Sequence, residues 1–216
     1  ERPVISKLSF TGTEEFDKDQ LLKSLKNNGL ATGLIFDQSI LDNAVLSIKT
    51  EYYNRGLYSV IITPVVTQLE RNRVNIEIQI SEGSIAKIAA IDFIGNKIYS
   101  TNQLRKEMYL TTGNWMSWWY KDNQYSSDKL AGDFEKIRAF YLNNGYIDFR
   151  LNSAQIQLSP DKQSVFITGN IIEGEQYRFK SIQLAGDYKD IPPAVLTPLI
   201  TVKPGQIINQ ETLNKN

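Results

Sequence analysis

The sequence repeats itself, which restricts the fold to copies of one small unit. The pattern apolar-x-x-apolar-x-apolar-x-Gly occurs three times, ending at Gly12, Gly95 and Gly186. Further landmarks of the first copy recur in the second in the same order: Leu41, Val45, Ile48, Tyr52, Gly56 and Glu82-Gly83 match Leu130, Phe134, Ile137, Tyr141, Gly145 and Glu173-Gly174. The chain therefore divides into residues 1–83, 84–174 and 175–216, and we expect the third copy to be cut short early in its second helix.

Hydrophobic periodicity predicts the same order of elements, β-α-α-β-β, in each complete copy. The first helix is predicted at about residues 18–27, with Asn28-Gly29 as its stop signal. Tyr52 and Tyr141 belong to the apolar stripe of the second helix, so we expect both in the core. Good N-cap residues stand at equivalent positions just before that helix in all three copies: Asp37, Ser126 and Asn209. We expect an α+β fold, with two helices packed on a three-stranded mixed sheet.

The last two segments of each copy read as strands. Residues Val74–Ile80 alternate strictly between apolar and polar, so the final strand has one buried face. The strand before it is predicted at about residues 58–69 in the first copy and 147–158 in the second. Pro64 lies inside the first of these, and a proline has no N–H to give to a ladder. That strand is therefore expected at an edge of its sheet.

The composition excludes several classes of protein. Lys+Arg and Asp+Glu are both 24, so the basic signature of a nucleic-acid-binding protein is absent. The chain has no Cys and no His, which excludes Ser-His and Cys-His catalysis. An enzyme would have to rely on carboxylates, Lys or Tyr, for instance on a carboxylate pair such as Glu135 with Asp133 or Glu51. Nothing spaces such a pair around a pocket. We therefore expect no enzyme, no cofactor and no metal site. No apolar run approaches the roughly 18 residues of a membrane span.

Several stretches carry a resemblance to a known family: Glu1-Arg-Pro3, the segment from Pro64 to Val74, Lys129-Leu-Ala-Gly-Asp133, the segment from Arg138 to Tyr146, Leu158-Ser-Pro-Asp-Lys162 and the Trp118-Trp119 pair. Together with the glycines, the unit resembles the POTRA (polypeptide-transport-associated) domain of the Omp85 superfamily. By order and by an insertion in the second copy, the resemblance implies the second and third POTRA domains and the first half of the fourth. Such proteins carry five of these domains ahead of a transmembrane barrel, so the chain would be a periplasmic slice of a longer outer-membrane protein of Gram-negative bacteria.

The resemblance also implies a function and partners. POTRA domains of this kind receive unfolded outer-membrane β-barrel precursors in the periplasm and dock accessory lipoproteins of the assembly machinery. In the full-length protein they also adjoin their own C-terminal membrane barrel. The alternative is a passive structural spacer, which sets the distance between barrel and partners without binding clients.

Binding is expected at the edge strands. An edge strand offers unpaired N–H and C=O groups, to which an extended peptide can add as a further strand. In the family's fold the last strand is central, so the penultimate strand is an edge. We expect binding first along the second copy and then along the first, where Pro64 interrupts the ladder; the residues expected are Ile147, Phe149, Arg150, Leu151, Asn152, Ala154, Ile156 and Leu158, then Val60 and Ile62.

The second copy carries an insertion at residues 114–122 with four aromatic side chains: Trp115, Trp118, Trp119 and Tyr120. Four aromatics in one loop could form a contact surface, since Trp and Tyr dominate binding hot spots. We favour instead that they plug the gap between the helices or the joint with a neighbouring unit, because an exposed patch of this size would be an aggregation liability.

Overall fold

The computed structural model describes residues 2–183, 195, 200 and 202–210. Within them the elements are, in chain order, β1 Val4–Thr11, α1 Lys18–Asn27, α2 Gln38–Asn54, β2 Ile61–Leu69, β3 Arg73–Ser81, β4 Lys87–Ile94, α3 Thr101–Lys106, α4 Ser117–Tyr120, α5 Ser127–Asn143, β5 Arg150–Leu158 and β6 Ser164–Ile172. They form two compact units; the first contains strands β1–β3, and the second contains most of strands β4–β6. The predictions at Leu184, Gly186 and after Gln210 lie outside the described residues.

The first sheet has the strand order β1-β3-β2. Strand β3 pairs parallel with β1 and antiparallel with β2, so the sheet is mixed and the last strand of the copy is central. The apolar side chains of β3 from Val74 to Ile80 are all buried, as the alternation predicts. The predicted α+β fold class is therefore confirmed, and so is the edge position of β2.

Local side chains fix the ends of the helices. The Asp17 carboxylate accepts a hydrogen bond from Gln20 N at 3.0 Å at the start of α1, which spans the range predicted from the sequence. Asp37 accepts from Ser39 N at 2.9 Å at the start of α2, as expected of an N-cap residue. On α2, Ala44 is buried in the core, and the repeated landmark Val45 is half-buried against it.

The core of the first unit lies between the helices and the sheet. The two helices contribute one apolar stripe each, and β3 contributes its whole inner face. The largest fully buried side chains of this core are Ile5, Leu30, Leu41, Tyr52, Ile76 and Ile78.

The second sheet repeats the order of the first, β4-β6-β5. Its central strand β6 buries Val165, Ile167 and Ile171. At Gly169, a Cβ would come within 2.9 Å of the Phe93 ring, so glycine makes room there for an aromatic side chain from β4. This accounts for the gap in the apolar alternation of β6.

Both penultimate strands begin later than predicted. Gly56 and Gly145 adopt positive φ at the ends of α2 and α5, where a left-handed helix cap is expected. The next residue then bonds back to its helix: Leu57 N to Tyr52 O and Tyr146 N to Tyr141 O, both at 3.0 Å. A further turn follows before the strand starts. The apolar residues of these turns resemble a strand in the sequence. Val60 and Phe149 are buried beside the helix end, whereas Ile147 is 43% exposed.

Candidate peptide-binding sheet edges

The two edges of the first sheet differ. On the outer side of β1, residues 33–36 run alongside the strand and bond to it: Ile5 N donates to Leu34 O at 2.9 Å, and Gly33 N donates to Ile5 O at 2.8 Å. The pairing of β1 with β3 also shifts register between Ile5 and Lys7, an irregularity of the bulge type that disfavours further pairing. The chain itself therefore covers the start of this edge.

The corresponding edge of the second sheet is covered in the same way. Ile88 N in β4 donates to Asn123 O at 2.8 Å. Further along β4, the Arg105 guanidinium donates through Nε to Ile91 O at 2.7 Å and pairs with Asp92 at 3.0 Å. The Arg105 side chain thus already donates to a backbone carbonyl oxygen that an added strand would need as an acceptor.

Strands β2 and β5 form the opposite, open edges. Within the described residues, no strand or isolated bridge pairs with the outer side of either one. Their side chains are exposed or half-buried along the whole length of each strand. A strand of nine residues with a free row of N–H and C=O groups is long enough for an extended peptide to pair with.

The predicted binding residues divide into those inside and those outside the open edges. Six lie in β5 and one in β2: Arg150, Leu151, Asn152, Ala154, Ile156 and Leu158, with Ile62. Three precede the strands, so their assignment to the ladder is wrong: Ile147, Phe149 and Val60. The ring of Phe149 stacks on Tyr141 with 4.2 Å between centroids, and Val60 is likewise buried. Both side chains are used by the core.

Pro64 does not break the ladder between β2 and β3. The antiparallel register runs without a shift from Ile61 to Leu69, with Pro64 opposite Ile78. In a continuous ladder, a proline is accommodated where its missing N–H faces away from the partner strand. Pro64 therefore leaves the β2–β3 ladder intact, and its missing donor falls on the open side, in the row of groups that an added strand would pair with.

A tyrosine–glutamate contact that the sequence reasoning missed occurs once in each unit. It joins helix α2 to the first sheet and helix α5 to the second. The Tyr52 hydroxyl donates to Glu82 at 2.7 Å, and the Tyr141 hydroxyl donates to Glu173 at the same distance. Burial, together with the bond to the carboxylate, raises the pKa of both tyrosines. The signal was present, because both residues of each pair are among the repeated landmarks.

The glutamates also organise the loop after the first strand of each sheet. Glu82 accepts the backbone N–H groups of Glu14 and Glu15 at 2.9 and 3.0 Å. Glu173, which is 7% exposed, accepts those of Lys97 at 2.8 Å and Ile98 at 3.0 Å. Each carboxylate thus joins a helix, a loop and the end of the central strand, so the site it builds is structural.

The inserted segment of the second unit, residues 114–122, is called the aromatic loop below. It contains the short helix α4, and its aromatic side chains project into solvent, with exposed fractions of 83% for Trp115, 74% for Trp118, 70% for Trp119 and 54% for Tyr120. The expectation that they plug a gap is therefore wrong among the described residues. The rings of Trp118 and Trp119 meet edge to face at 5.4 Å and line an open depression of about 260 Å³.

Two carboxylates considered for catalysis, those of Asp133 and Glu135, have different surroundings: one binds backbone N–H groups, and the other lies in solvent. Asp133 is 1% exposed and accepts the backbone N–H groups of Tyr109 and Leu110, both at 2.8 Å. Glu135 lies in solvent, 3.6 Å from Arg138. The part of the chain described here contains no cluster of three or more acidic residues placed to hold a metal ion. None of its helices combines the length and apolarity that crossing a membrane requires.

Two sheets with the same strand order, each tied to its helices by the same tyrosine–glutamate contact, define a tandem repeat of one small α+β domain. The model of the POTRA family, described as a surface antigen variable number repeat, matches residues 3–83 and 86–174, and the chain belongs to this family. The resemblance found in the sequence is confirmed.

Relatives and solved structures carry related names. An outer membrane protein assembly factor BamA of Neisseria meningitidis serogroup B is 42% identical over 206 residues, covering 95% of this chain and 26% of that protein. BamA of Buchnera aphidicola is 28% identical over 216 residues, covering 99% of this chain and 34% of that protein. The crystal structure of Haemophilus influenzae BamA POTRA3-5 has a TM-score of 0.48 at 17% identity and covers all of this chain and 83% of that one. The chain spans about a quarter to a third of the length of these two curated relatives.

Proposed function

We propose that this chain is the periplasmic, polypeptide-binding part of an outer-membrane protein assembly factor of a Gram-negative bacterium. Its repeats receive unfolded β-barrel precursors by strand addition and dock accessory lipoproteins beside a C-terminal membrane barrel. The relatives named as assembly factors support the cellular role, and membership of the POTRA family supports a binding module without catalytic activity. In the parent protein, residues 1–83 and 84–174 correspond to the second and third repeats, and residues 175–216 to the first half of the fourth.

The observation that carries the binding mode is the difference between the two edges of each sheet. The chain itself covers part of one edge, whereas the other edge is a nine-residue strand whose outer row of N–H and C=O groups pairs with no strand among the described residues. Main-chain pairing tolerates many sequences, which suits a machine that receives many different clients.

We rank β5 above β2 as the binding edge. Pro64 removes one donor from the open side of β2, whereas β5 contains no proline. On its paired side, β5 is further held to β6 by a hydrogen bond from Asn170 Nδ2 to Ser153 Oγ at 2.9 Å. A strand firmly joined to its sheet loses little freedom when it pairs with a peptide on its other side.

An amide chemical-shift titration with an extended peptide from an outer-membrane barrel strand tests the proposal. Shifts concentrated along residues 150–158, with weaker shifts along 61–69, are expected. A control peptide of the same length should produce none if prolines at neighbouring positions remove donors from both of its edges. Absence of shifts at millimolar peptide would instead favour a passive spacer.

Paired proline variants sharpen the test. Neighbouring N–H groups in a strand point to opposite sides, so Ala154→Pro and Gln155→Pro remove donors from opposite edges of β5. One variant should keep its fold and lose peptide binding, whereas the other should disrupt pairing with β6. Peptide binding that survives in the variant with an intact fold would refute strand addition at β5.

A further inference from the structure

The aromatic loop is held in one shape by its own hydrogen bonds. Asn114 N donates to Ser117 Oγ, and Met116 N donates to Asn114 Oδ1, both at 2.8 Å. Lys121 N closes α4 by donating to Ser117 O at 2.8 Å. Ser117 is only 4% exposed, so the polar side of the loop faces inward while its indoles face outward.

A second set of contacts anchors the loop to the body of its unit. The Tyr109 hydroxyl donates to Tyr120 O at 3.1 Å, and Thr111 N donates to Asp122 O at 3.0 Å. The buried carboxylate of Asp133 in turn fixes the backbone of Tyr109. The first unit has an alanine, Ala44, in place of this aspartate, so the buried charge accompanies the insertion. Apolar rings presented on a pre-organised support indicate a contact surface rather than a packing accident.

Cations flank the exposed rings. The Lys129 and Lys136 ammonium groups lie 5.2 and 5.9 Å from the centroid of the Tyr109 ring, which is itself 43% exposed. Lys121 follows α4 directly and adopts a positive φ of 53°. The Lys136 ammonium group is also paired with the buried Asp133 carboxylate at 2.9 Å. The surface thus combines five aromatic side chains, all Trp or Tyr, with Lys121 and Lys129 and with this ion pair.

The chemistry of this surface favours a lipid interface over a protein partner. Three indoles and a phenol exposed to this degree offer about 600 Å², taking roughly 200–250 Å² for each fully exposed ring. Trp and Tyr, with an apolar body and a polar edge, concentrate where a bilayer meets water, and lysines nearby attract anionic headgroups.

We propose that the aromatic loop binds the surface of an anionic phospholipid bilayer. The indole rings of Trp115, Trp118 and Trp119 insert at the level of the headgroups. The ammonium groups of Lys121 and Lys129 lie against the lipid phosphates. This binding is separate from strand addition at β2 and β5, and either can hold without the other.

Tryptophan fluorescence reports directly on this contact, because all three tryptophans of the chain lie in the aromatic loop. Adding vesicles of phosphatidylethanolamine with a minority of phosphatidylglycerol should shift the emission to shorter wavelength. Lipids brominated near the headgroup should quench it. Lys121→Gln should weaken partitioning by about fivefold at low salt, and raising the salt concentration should remove the difference.

Matched variants separate the loop from the rest of the surface. Replacing Trp118 and Trp119 by alanine should lower vesicle binding in flotation by at least about tenfold. Leu46→Ala, at an exposed apolar residue of α2, and Lys23→Gln, at an exposed lysine of α1, should leave it unchanged. Emission that stays unchanged at millimolar lipid would overturn the proposal. So would a shift produced by the barrel-strand peptide but not by vesicles, which would assign the loop to a protein partner.

Discussion

Replacing Tyr141 by phenylalanine removes one hydroxyl from the tyrosine–glutamate contact of the second unit. Tyr141 is fully buried, and its hydroxyl lies 2.7 Å from a Glu173 oxygen. A hydrogen bond to a charged group contributes about 1.5–3 kcal/mol. The carboxylate keeps its backbone donors, so it is not left without partners. We therefore expect Tyr141→Phe to lower the free energy of unfolding by about 2 kcal/mol.

The first unit provides an internal comparison. Tyr52→Phe breaks the equivalent bond to Glu82, which is half-buried rather than buried, so water can replace part of the lost contact. We expect this variant to cost about 1 kcal/mol. Each variant should affect only the unit that contains it. Tyr53→Phe, on the same helix and at the edge of the core, is the matched control and should cost less than either.

Urea unfolding followed by two-dimensional amide spectra measures both effects, because separate resonances report on each unit. With a slope of about 1–2 kcal/mol per molar urea, Tyr141→Phe should lower the midpoint of the second unit by about 1–2 M. A change below about 0.5 kcal/mol, or a larger loss for Tyr52→Phe than for Tyr141→Phe, would refute the reasoning from burial and carboxylate charge.

Three further predictions concern the edge, the turns and pH. Pro64→Val restores an N–H donor to the open side of β2. It should strengthen peptide binding there about fivefold in the shift titration, the equivalent of one net hydrogen bond. Unchanged binding would contradict the inference that the nitrogen of Pro64 faces the open side. Gly95→Ala should unfold its unit in circular dichroism, because the added Cβ would lie 2.1 Å from a strand carbonyl oxygen, whereas Gly33→Ala, also at positive φ but with open space around it, should cost only about 1 kcal/mol. The pKa values of Tyr52 and Tyr141 are raised in the folded state. Their contribution to stability is therefore complete below about pH 10 and is lost as the pH rises further. The variant with both tyrosines replaced by phenylalanine should thus show a smaller fall in Tm at alkaline pH than the unmodified protein.

The sequence predicts those parts of the fold that depend on local pattern. The N-cap at Asp37, the bounds of α1 and the buried face of β3 all follow from side chains within a few residues of one another. Burial alone misleads where the chain turns, as at Val60 and Phe149, because a buried turn beside a helix end has the same apolar composition as a strand.

Contacts between distant segments could not be derived from the sequence. The covering of β1 by residues 33–36 is made by backbone hydrogen bonds, and the glycine at its start, Gly33, indicates a turn but not which strand the segment pairs with. The exposure of Trp118 and Trp119 contradicts the general preference for burying large rings, and the compensating support from Asp133 becomes visible only when residues separated along the chain are brought together.

A sheet that is closed on one side and open on the other has a direction of growth. Under the proposed strand addition, a peptide strand extends the sheet past β2 or β5, because residues 33–36 and Arg105 obstruct extension past β1 and β4. Once bound, that strand exposes its own outer row of N–H and C=O groups and becomes the next template. A β-hairpin would therefore add one strand at a time, away from the core of the unit. The repeat that binds the first strand would set the direction in which the new sheet grows.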